Sequence, residues 1–291
     1  MKQIFTFLLI ASLLFSCNKA KILNVKIIDL PENGEEIISG GNSYGFEVFK
    51  EINDAETDEN KNIMYSPLSL NTIFYMLYNG ASGTTADEIK EAYKLQGIDI
   101  LNINQTNKTI TKEFAKIDRN INFNIANSIW AELDLTLNSD FSSVVKDNYE
   151  AEIENLSFSD PNSVEIINNW VKKKTEGKIP KLFDALKGNL IFVNALYFYG
   201  EWHSKFDENL TQNRDFYLAD SSKTQVPTME MTDFVDFATN EKYIIVELPY
   251  SQGNFVMDLI LPQNDNTTDS ILDILPTLNS MTKELTIAQI T

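Results

Sequence analysis

The sequence has little of the chemistry that most enzyme and metal sites need. Its 291 residues include one cysteine, Cys17, and one histidine, His203. A single cysteine excludes an intramolecular disulfide, and with one histidine it cannot assemble a zinc or haem site of the usual kind. No Gly-x-Gly-x-x-Gly motif or Walker loop occurs. We therefore expect a protein without metal, cofactor or catalytic activity, although the many carboxylates leave glycosidase chemistry open.

Positive charge is also scarce. Lys and Arg number 24 against 42 Asp and Glu, which gives a formal net charge of −18. Such an acidic chain repels phosphate backbones, so we expect no nucleic-acid binding. One local basic run could bind an anionic polymer, but a solvated helix face is the more common explanation. It consists of Lys172, Lys173, Lys174, Lys178 and Lys181.

The sequence offers no apolar run long enough to cross a membrane. The run from Ile4 to Phe15 is shorter than the roughly 18 residues that a transmembrane helix needs. Because it follows Lys2 and is followed by the small residues Ser16 and Cys17, it predicts a secretory signal peptide over residues 1–16. The residues Leu14 to Cys17 resemble a bacterial lipobox, in which the cysteine carries the lipid. The alternative is an ordinary signal peptide that happens to contain a cysteine.

The lipobox predicts an exported lipoprotein of the bacterial cell envelope or surface, on its extracellular or periplasmic side. The lipid is then the only expected contact with the membrane. Turn-forming residues at Pro31–Gly34 and Gly40–Gly41 predict a linker. We therefore expect the lipidated cysteine and linker over residues 17–41, and one domain over residues 42–291.

Helical patterns come first in this domain. Apolar spacing predicts a helix over Ser43–Asn53. Ser66 and Pro67 have the chemistry of a helix start, and Gly80 that of its end. Thr85 and Glu88 have the spacing of a capping box for the next helix, and Ser163–Thr175 is again helical. The helices are thus expected mainly in the first half of the chain.

Strand patterns dominate the later part. Asn122–Glu132 alternates as a strand does, and Leu190–Phe198 is a nearly continuous apolar run, typical of a strand that is buried on both faces. Its middle residue, Asn194, must be hydrogen-bonded, since a buried unpaired amide costs roughly 1–3 kcal/mol. Tyr243–Pro249 and Phe255–Pro262 predict a hairpin. The order of helices and strands indicates an α+β fold.

A series of short motifs runs through the domain in a fixed order, each of them weak alone. They are NIMYSPLSL (62–70), GASGTT followed by EI (80–89), NALYFYGEW (194–202), VPTM (226–229), ELPY (247–250) and LILP (259–262). Their order and spacing resemble those of the serpin family of protease inhibitors. The resemblance covers roughly Ser43 to Thr291.

The resemblance implies N-terminal helices packed on large mixed or antiparallel sheets. It also implies a monomeric inhibitor, which traps a serine or cysteine protease when its cleaved reactive loop inserts into the main sheet as an extra strand. One alternative is a non-inhibitory surface module, binding or structural, on the same fold. An unrelated lipid-anchored enzyme is the third hypothesis.

Matching the motifs residue by residue places Ser66, Ser69 and Asn194 at the family's shutter, a polar cluster beneath the point where the sheet opens. Trp202 matches the tryptophan of the breach, where the loop enters. Helix capping is the simpler role for Ser66, and core packing is the simpler role for Trp202.

The resemblance stops before the family's reactive loop. The chain ends at Thr291, and the reactive-centre bond is expected beyond it. We therefore expect a fragment with an incomplete fold, which places the inhibitory activity of this chain alone in doubt. Because the missing strands would leave apolar faces uncovered, we expect residues 18–291 to be poorly soluble or molten on their own.

Overall fold

The computed structural model describes residues 23–58, 61–218, 222–264, 267–273, 275 and 286–290. The predicted signal peptide and the lipidation of Cys17 lie outside these residues and stay predictions. Within the described part of the chain, no helix is long and apolar enough to span a bilayer.

Helices and strands follow the predicted order, with helices concentrated in the first half. The α-helices are α1 (Gly34–Ala55), α2 (Pro67–Gly80), α3 (Gly83–Ala92), α4 (Ile100–Phe114), α5 (Ser139–Tyr149), α6 (Pro161–Lys174) and α7 (Thr268–Leu272). The strands are β1 (Ile121–Glu132), β2 (Glu152–Leu156), β3 (Leu190–Gly200), β4 (Gln212–Tyr217), β5 (Lys223–Thr228), β6 (Asp233–Thr239), β7 (Tyr243–Tyr250), β8 (Phe255–Pro262) and β9 (Thr286–Ile290).

The described strands form three sheets. Their orders are β2-β1-β3, β4-β5 and β8-β7-β6-β9. The β1–β2 pair is parallel and the other pairs are antiparallel. The predicted α+β class is confirmed, and so is the hairpin, which is formed by β7 and β8.

Helix α2 begins where the sequence predicts. Ser66 has an extended backbone and its Oγ accepts a hydrogen bond from the backbone N–H of Ser69 at 3.3 Å. The capping-box prediction for the next helix was wrong, because α3 already begins at Gly83. Gly83 has a φ of +58°, a left-handed conformation that glycine adopts without strain.

The predicted linker boundary at Gly41 needs correction. Helix α1 begins at Gly34, and Gly40 and Gly41 are buried within it. A Cβ at Gly40 would collide with the backbone oxygen of Tyr93, and one at Gly41 would lie 2.5 Å from Nδ2 of Asn71. These glycines therefore permit close helix packing, and they do not form the turn that the sequence suggested.

The sheet β2-β1-β3 is covered on both faces. One face meets a buried cluster from α1 to α5 that includes Tyr75, Met76 and Val145, and Ile129 of β1 belongs to it. The other face meets α6 through a cluster that includes Trp130 and Val193. Adjacent residues of a strand thus point into different cores. The prediction that β3 is buried throughout was too strong, because only Val193 and Ala195 are fully buried.

The N-terminal segment lies on the body of the domain. The backbone N–H of Asn24 donates to the carbonyl of Gln252 at 3.0 Å, and that of Lys26 donates to Oδ1 of Asn254 at 2.9 Å. Both partners belong to the turn between β7 and β8. The described part of the predicted spacer is therefore attached to the fold before α1 begins.

Candidate functional site

A pair of asparagines joins the two long strands of the first sheet. Asn194 of β3 lies directly opposite Asn127 of β1. Nδ2 of Asn194 donates to Oδ1 of Asn127 at 2.7 Å, and Nδ2 of Asn127 donates to the backbone oxygen of Tyr149 at 2.7 Å. Tyr149 is the last residue of α5. The pair therefore links β3, β1 and the helix beneath them.

The pair faces the helical core. Asn194 is two residues from Phe192, and Asn127 is two residues from Ile129, so each shares a face of the sheet with the residue that packs against the helices. Oδ1 of Asn194 is buried and has no hydrogen-bond partner in the described part of the chain. An unpaired acceptor in this position favours any rearrangement that brings it a donor.

The two predicted serines form a separate pair. Oγ of Ser66 donates to Oγ of Ser69 at 2.9 Å at the start of α2, and α2 packs against β3. Among the described residues, no hydrogen bond connects this pair to Asn194. The three predicted shutter residues thus lie on two elements in contact, but as two independent hydrogen-bonded pairs.

A buried polar network continues beyond Asn127, and sequence reasoning missed it. The hydroxyl of Tyr149 donates to Oδ1 of Asn104 at 2.6 Å. Asn104 and Asn79 exchange two amide hydrogen bonds of 2.9 and 2.8 Å, and Asn79 also donates to the backbone oxygen of Tyr75 at 2.7 Å. Burial raises the pKa of Tyr149 above its ordinary value, so the phenol stays protonated and can donate.

Trp202 lies just beyond β3 and contacts the hairpin that is formed by β7 and β8. Its ring stacks on Tyr250 with centroids 4.3 Å apart and an interplanar angle of 13°, and Phe206 meets it edge-on at 6.3 Å. The Nδ1–H of His203, beside it, donates to the carbonyl oxygen of Ser251 at 2.5 Å. These contacts fasten the end of β3 to β7, as the core-packing alternative expects, and the breach role stays a prediction.

The family model described as Serpin (serine protease inhibitor) matches residues 39–291. The chain belongs to the serpin family. A serpin-like protein of Methanosarcina mazei is 29% identical over 88% of this chain, and leukocyte elastase inhibitor of Xenopus tropicalis is 30% identical over 88%. The structure of reactive-loop-cleaved human thyroxine-binding globulin superposes with a TM-score of 0.81 at 22% identity, covering 89% of this chain and 78% of that one.

The present serpin chain is shorter than these relatives. It spans 61% of the Methanosarcina mazei protein and 68% of the Xenopus protein. It spans 56% and 55% of two serpin-like proteins of Methanosarcina acetivorans. The comparisons thus establish the family and the fold of the part in hand.

The basic run of this serpin is solvated, but only Lys172, Lys173 and Lys174 lie on a helix, since α6 ends at Lys174. Lys172, Lys173, Lys178 and Lys181 are exposed. Lys174 pairs with Glu152 at 2.8 Å and lies 5.6 Å from the centroid of Trp170. The described residues contain no group of three or more His, Cys, Asp or Glu that could hold a metal ion.

Three carboxylates form a row across the neighbouring strands β6, β7 and β8. In the register of the strands, Glu247 of β7 lies between Asp236 of β6 and Asp258 of β8. Burial raises the pKa of Glu247 to about 7, with smaller contributions from the charges of Asp258 and Asp236. Burial likewise raises the pKa of Asp258, whose Oδ1 has no hydrogen-bond partner among the described residues. The row therefore favours holding a proton near neutral pH.

Proposed function

We propose that the complete protein inhibits a serine or cysteine protease by the serpin mechanism. Most serpins inhibit proteases and are not catalysts themselves, and one similar relative is named leukocyte elastase inhibitor. The observation that carries the proposal is the amide pair of Asn127 and Asn194 between β1 and β3. Polar partners at this point can exchange hydrogen bonds when strands separate, which an apolar contact cannot do.

The chemistry of trapping proceeds on the protease. The target's nucleophilic Ser or Cys attacks the bait carbonyl, forms an acyl bond and releases the new amino end of the bait. The freed loop then adds to the main sheet as a strand, with main-chain hydrogen bonds supplying the energy. In the described part of the chain, β3 pairs with β1 along one edge, so its other edge is the expected docking position for the loop. Insertion holds the acyl-enzyme before water can cleave it.

An adduct assay tests this function. The full-length protein is incubated with a panel of serine and cysteine proteases, and products are separated by denaturing electrophoresis. We expect an SDS-stable band at the summed mass of inhibitor and protease. Cleavage without an adduct would favour the non-inhibitory surface module, and catalytic turnover of a substrate by this protein alone would favour the enzyme hypothesis.

The shutter role can be separated from general stability. Asn194→Ala removes the donor to Asn127, whereas Asn124→Ala changes an exposed asparagine of the same sheet. We expect the first variant to lower the fraction of encounters that end in an adduct, because sheet opening is altered. The second variant should leave that fraction unchanged. If the fraction of encounters that end in an adduct is the same in both variants, Asn194 has no role in the mechanism.

The protein is further proposed to be anchored by a lipid on Cys17. The support is the lipobox-like sequence from Leu14 to Cys17, which follows an apolar run. Labelling with a radioactive fatty acid in a bacterial host should mark the wild-type protein and leave Cys17→Ser unlabelled. Label in both proteins, or in neither, would contradict the anchor without affecting the inhibitory proposal.

A further inference from the structure

A single side-chain hydrogen bond joins the sheet β2-β1-β3 to the helices beneath it. In the part of the chain that the structure describes, the bond from Nδ2 of Asn127 to the backbone oxygen of Tyr149 is the only side-chain hydrogen bond between these three strands and helices α1 to α5. The contacts around it belong to a hydrophobic cluster that includes Ile129, Phe192 and Val145. Apolar contacts have no preferred direction, whereas a hydrogen bond of 2.7 Å fixes two atoms relative to each other. This bond is therefore the directional contact that opposes a shift of the sheet over the helices.

The position of Tyr149 is itself fixed by two amides. Its hydroxyl donates to Oδ1 of Asn104 of α4 at 2.6 Å, and Asn104 exchanges two amide hydrogen bonds with Asn79 of α2. Tyr149 and Asn104 are 3% and 2% exposed, so water does not replace a bond that breaks here, and the groups left unpaired cost free energy. Tyr149 is thus bonded to the sheet through its backbone and to the helical layer through its side chain.

The series of hydrogen bonds continues into the rest of the helical layer. Asn79 donates to the backbone oxygen of Tyr75 at 2.7 Å, one turn earlier in α2. The hydroxyl of Tyr75 donates to the backbone oxygen of Ile37 in α1 at 3.3 Å. The two amides that hold Tyr149 are therefore anchored in α2 and α4, and α2 is bonded in turn to α1.

Insertion of a cleaved loop beside β3 requires the sheet to shift. Strands β2, β1 and β3 are hydrogen-bonded to one another, so they move as a unit. When the unit shifts, either Asn127 leaves the carbonyl of Tyr149, or Tyr149 moves with the sheet and its hydroxyl leaves Asn104. One buried hydrogen bond of the series breaks in both cases, and its loss slows the shift.

We propose that Tyr149, Asn104 and Asn79 form a latch that sets the rate of loop insertion. The inference rests on the proposed inhibitory function and gives the three residues a positioning role, since the bond that the protease cleaves lies in the reactive loop. The pair of Asn127 and Asn194 lies within the moving unit, whereas the latch joins that unit to the helices. Slow insertion gives water more time to cleave the acyl bond. The latch therefore controls how many inhibitor molecules are consumed for each protease that is trapped.

The test measures loop insertion separately from stability. The full-length protein is mixed with an excess of a dansyl-labelled protease that forms the adduct described above. Stopped-flow energy transfer from Trp130, Trp170 and Trp202 to the dansyl group follows the movement of the acyl-enzyme. At saturating protease the observed rate constant is that of insertion. Urea unfolding of each variant gives its stability in parallel.

Two tyrosine variants separate the latch from general destabilisation. Tyr149→Phe removes the hydroxyl and leaves Asn104 paired with Asn79. Residue 149 then follows the sheet without losing a bond to Asn104, so we expect the insertion rate constant to rise about two- to tenfold, the equivalent of one hydrogen bond. Tyr75→Phe is the matched control, because its buried hydroxyl donates to α1 and not towards the sheet. It should insert at the rate of the wild type, and an equal rise in both variants would overturn the proposal.

A double variant tests the route from the latch to the sheet. In Asn127→Ala the bond between β1 and residue 149 is absent, so adding Tyr149→Phe should leave the insertion rate unchanged. Urea unfolding should still show a loss of stability from Tyr149→Phe in that background, because the bond to Asn104 lies in the helical layer. A further rise in the insertion rate would contradict the latch, since the effect would not pass through Asn127.

The inhibitory function and the latch fail in different ways. If the wild type forms no adduct with any protease of the panel, the inhibitory proposal is wrong and the latch is wrong with it. If the wild type forms adducts and Tyr149→Phe inserts no faster than the wild type, only the latch is wrong.

Discussion

Replacing Glu247 with glutamine should remove a pH-dependent loss of stability that arises in the sheet formed by β6 to β9. Glu247 lies between Asp236 and Asp258 in the strand register, and its pKa is raised from 4.5 to about 7. Burial is the largest cause, and the two neighbouring charges add to it. The charged form of Glu247 is therefore disfavoured in the folded protein relative to the unfolded chain.

The sign of the effect follows from proton binding. Below about pH 4.5, the carboxyl is protonated in both states. As the pH rises towards about 7, the unfolded chain releases the proton while the folded protein keeps it, so the free energy of unfolding falls. The full displacement corresponds to roughly 3 kcal/mol. Because the side chain is only half-buried, solvent screening reduces this figure to about 1 kcal/mol.

Urea unfolding of the wild type and Glu247→Gln at about pH 4 and about pH 8 measures the effect. We expect the variant to equal the wild type within error at the lower pH, where the carboxyl is mostly protonated in both states, and to be about 1 kcal/mol more stable at the higher pH. Glu241→Gln, an exposed change just before β7, is the control and should show no such difference. A Glu247→Gln effect of equal size at both pH values would refute the reasoning, because it would come from packing and not from charge.

Two further predictions concern close packing. Asn127→Ala leaves Asn194 and the carbonyl of Tyr149 without partners and should lower the free energy of unfolding by about 2–4 kcal/mol in chemical denaturation. Asn124→Ala should cost less than about 0.5 kcal/mol, and equal losses would contradict the role of the pair. Gly40→Ala should destabilise the fold by more than about 2 kcal/mol, measured in the same assay, because its Cβ meets a backbone oxygen. A neutral outcome there would show that α1 can shift.

Asn194 could be found from sequence because it interrupts an apolar run, where an amide needs a special reason. Asn127 could not be found in the same way. Strand β1 has asparagines at alternate positions before it, at Asn122 and Asn124, and both are exposed. Asn127 lies on the opposite face, with Ile125 and Ile129, but its pairing with Asn194 depends on the register of β1 with β3, which is not visible in a single sequence.

The buried amides of Asn79 and Asn104 illustrate the same limit. Asn79 lies on the predicted helix α2 and Asn104 lies on α4, for which no helix was predicted, and asparagine at a helix surface is usually solvated. Only the packing of α2 against α4 shows that the two amides satisfy each other. The prediction of a linker at Gly40 and Gly41 was wrong for a related reason. Glycine occurs both in turns and at close contacts, and only the position of Tyr93 shows that these glycines belong to a close contact.

The hydrogen bonds that hold Asn24 and Lys26 to the β7–β8 turn determine how far the molecule could stand from a lipid surface. Only the chain from Cys17 to Asn24 would link a lipid on Cys17 to the domain, and this linker is about 25 Å long when fully extended. The bilayer would then face this turn at short range and restrict tumbling of the tethered body. Proteases in solution would then encounter chiefly the side of the domain that faces away from this turn.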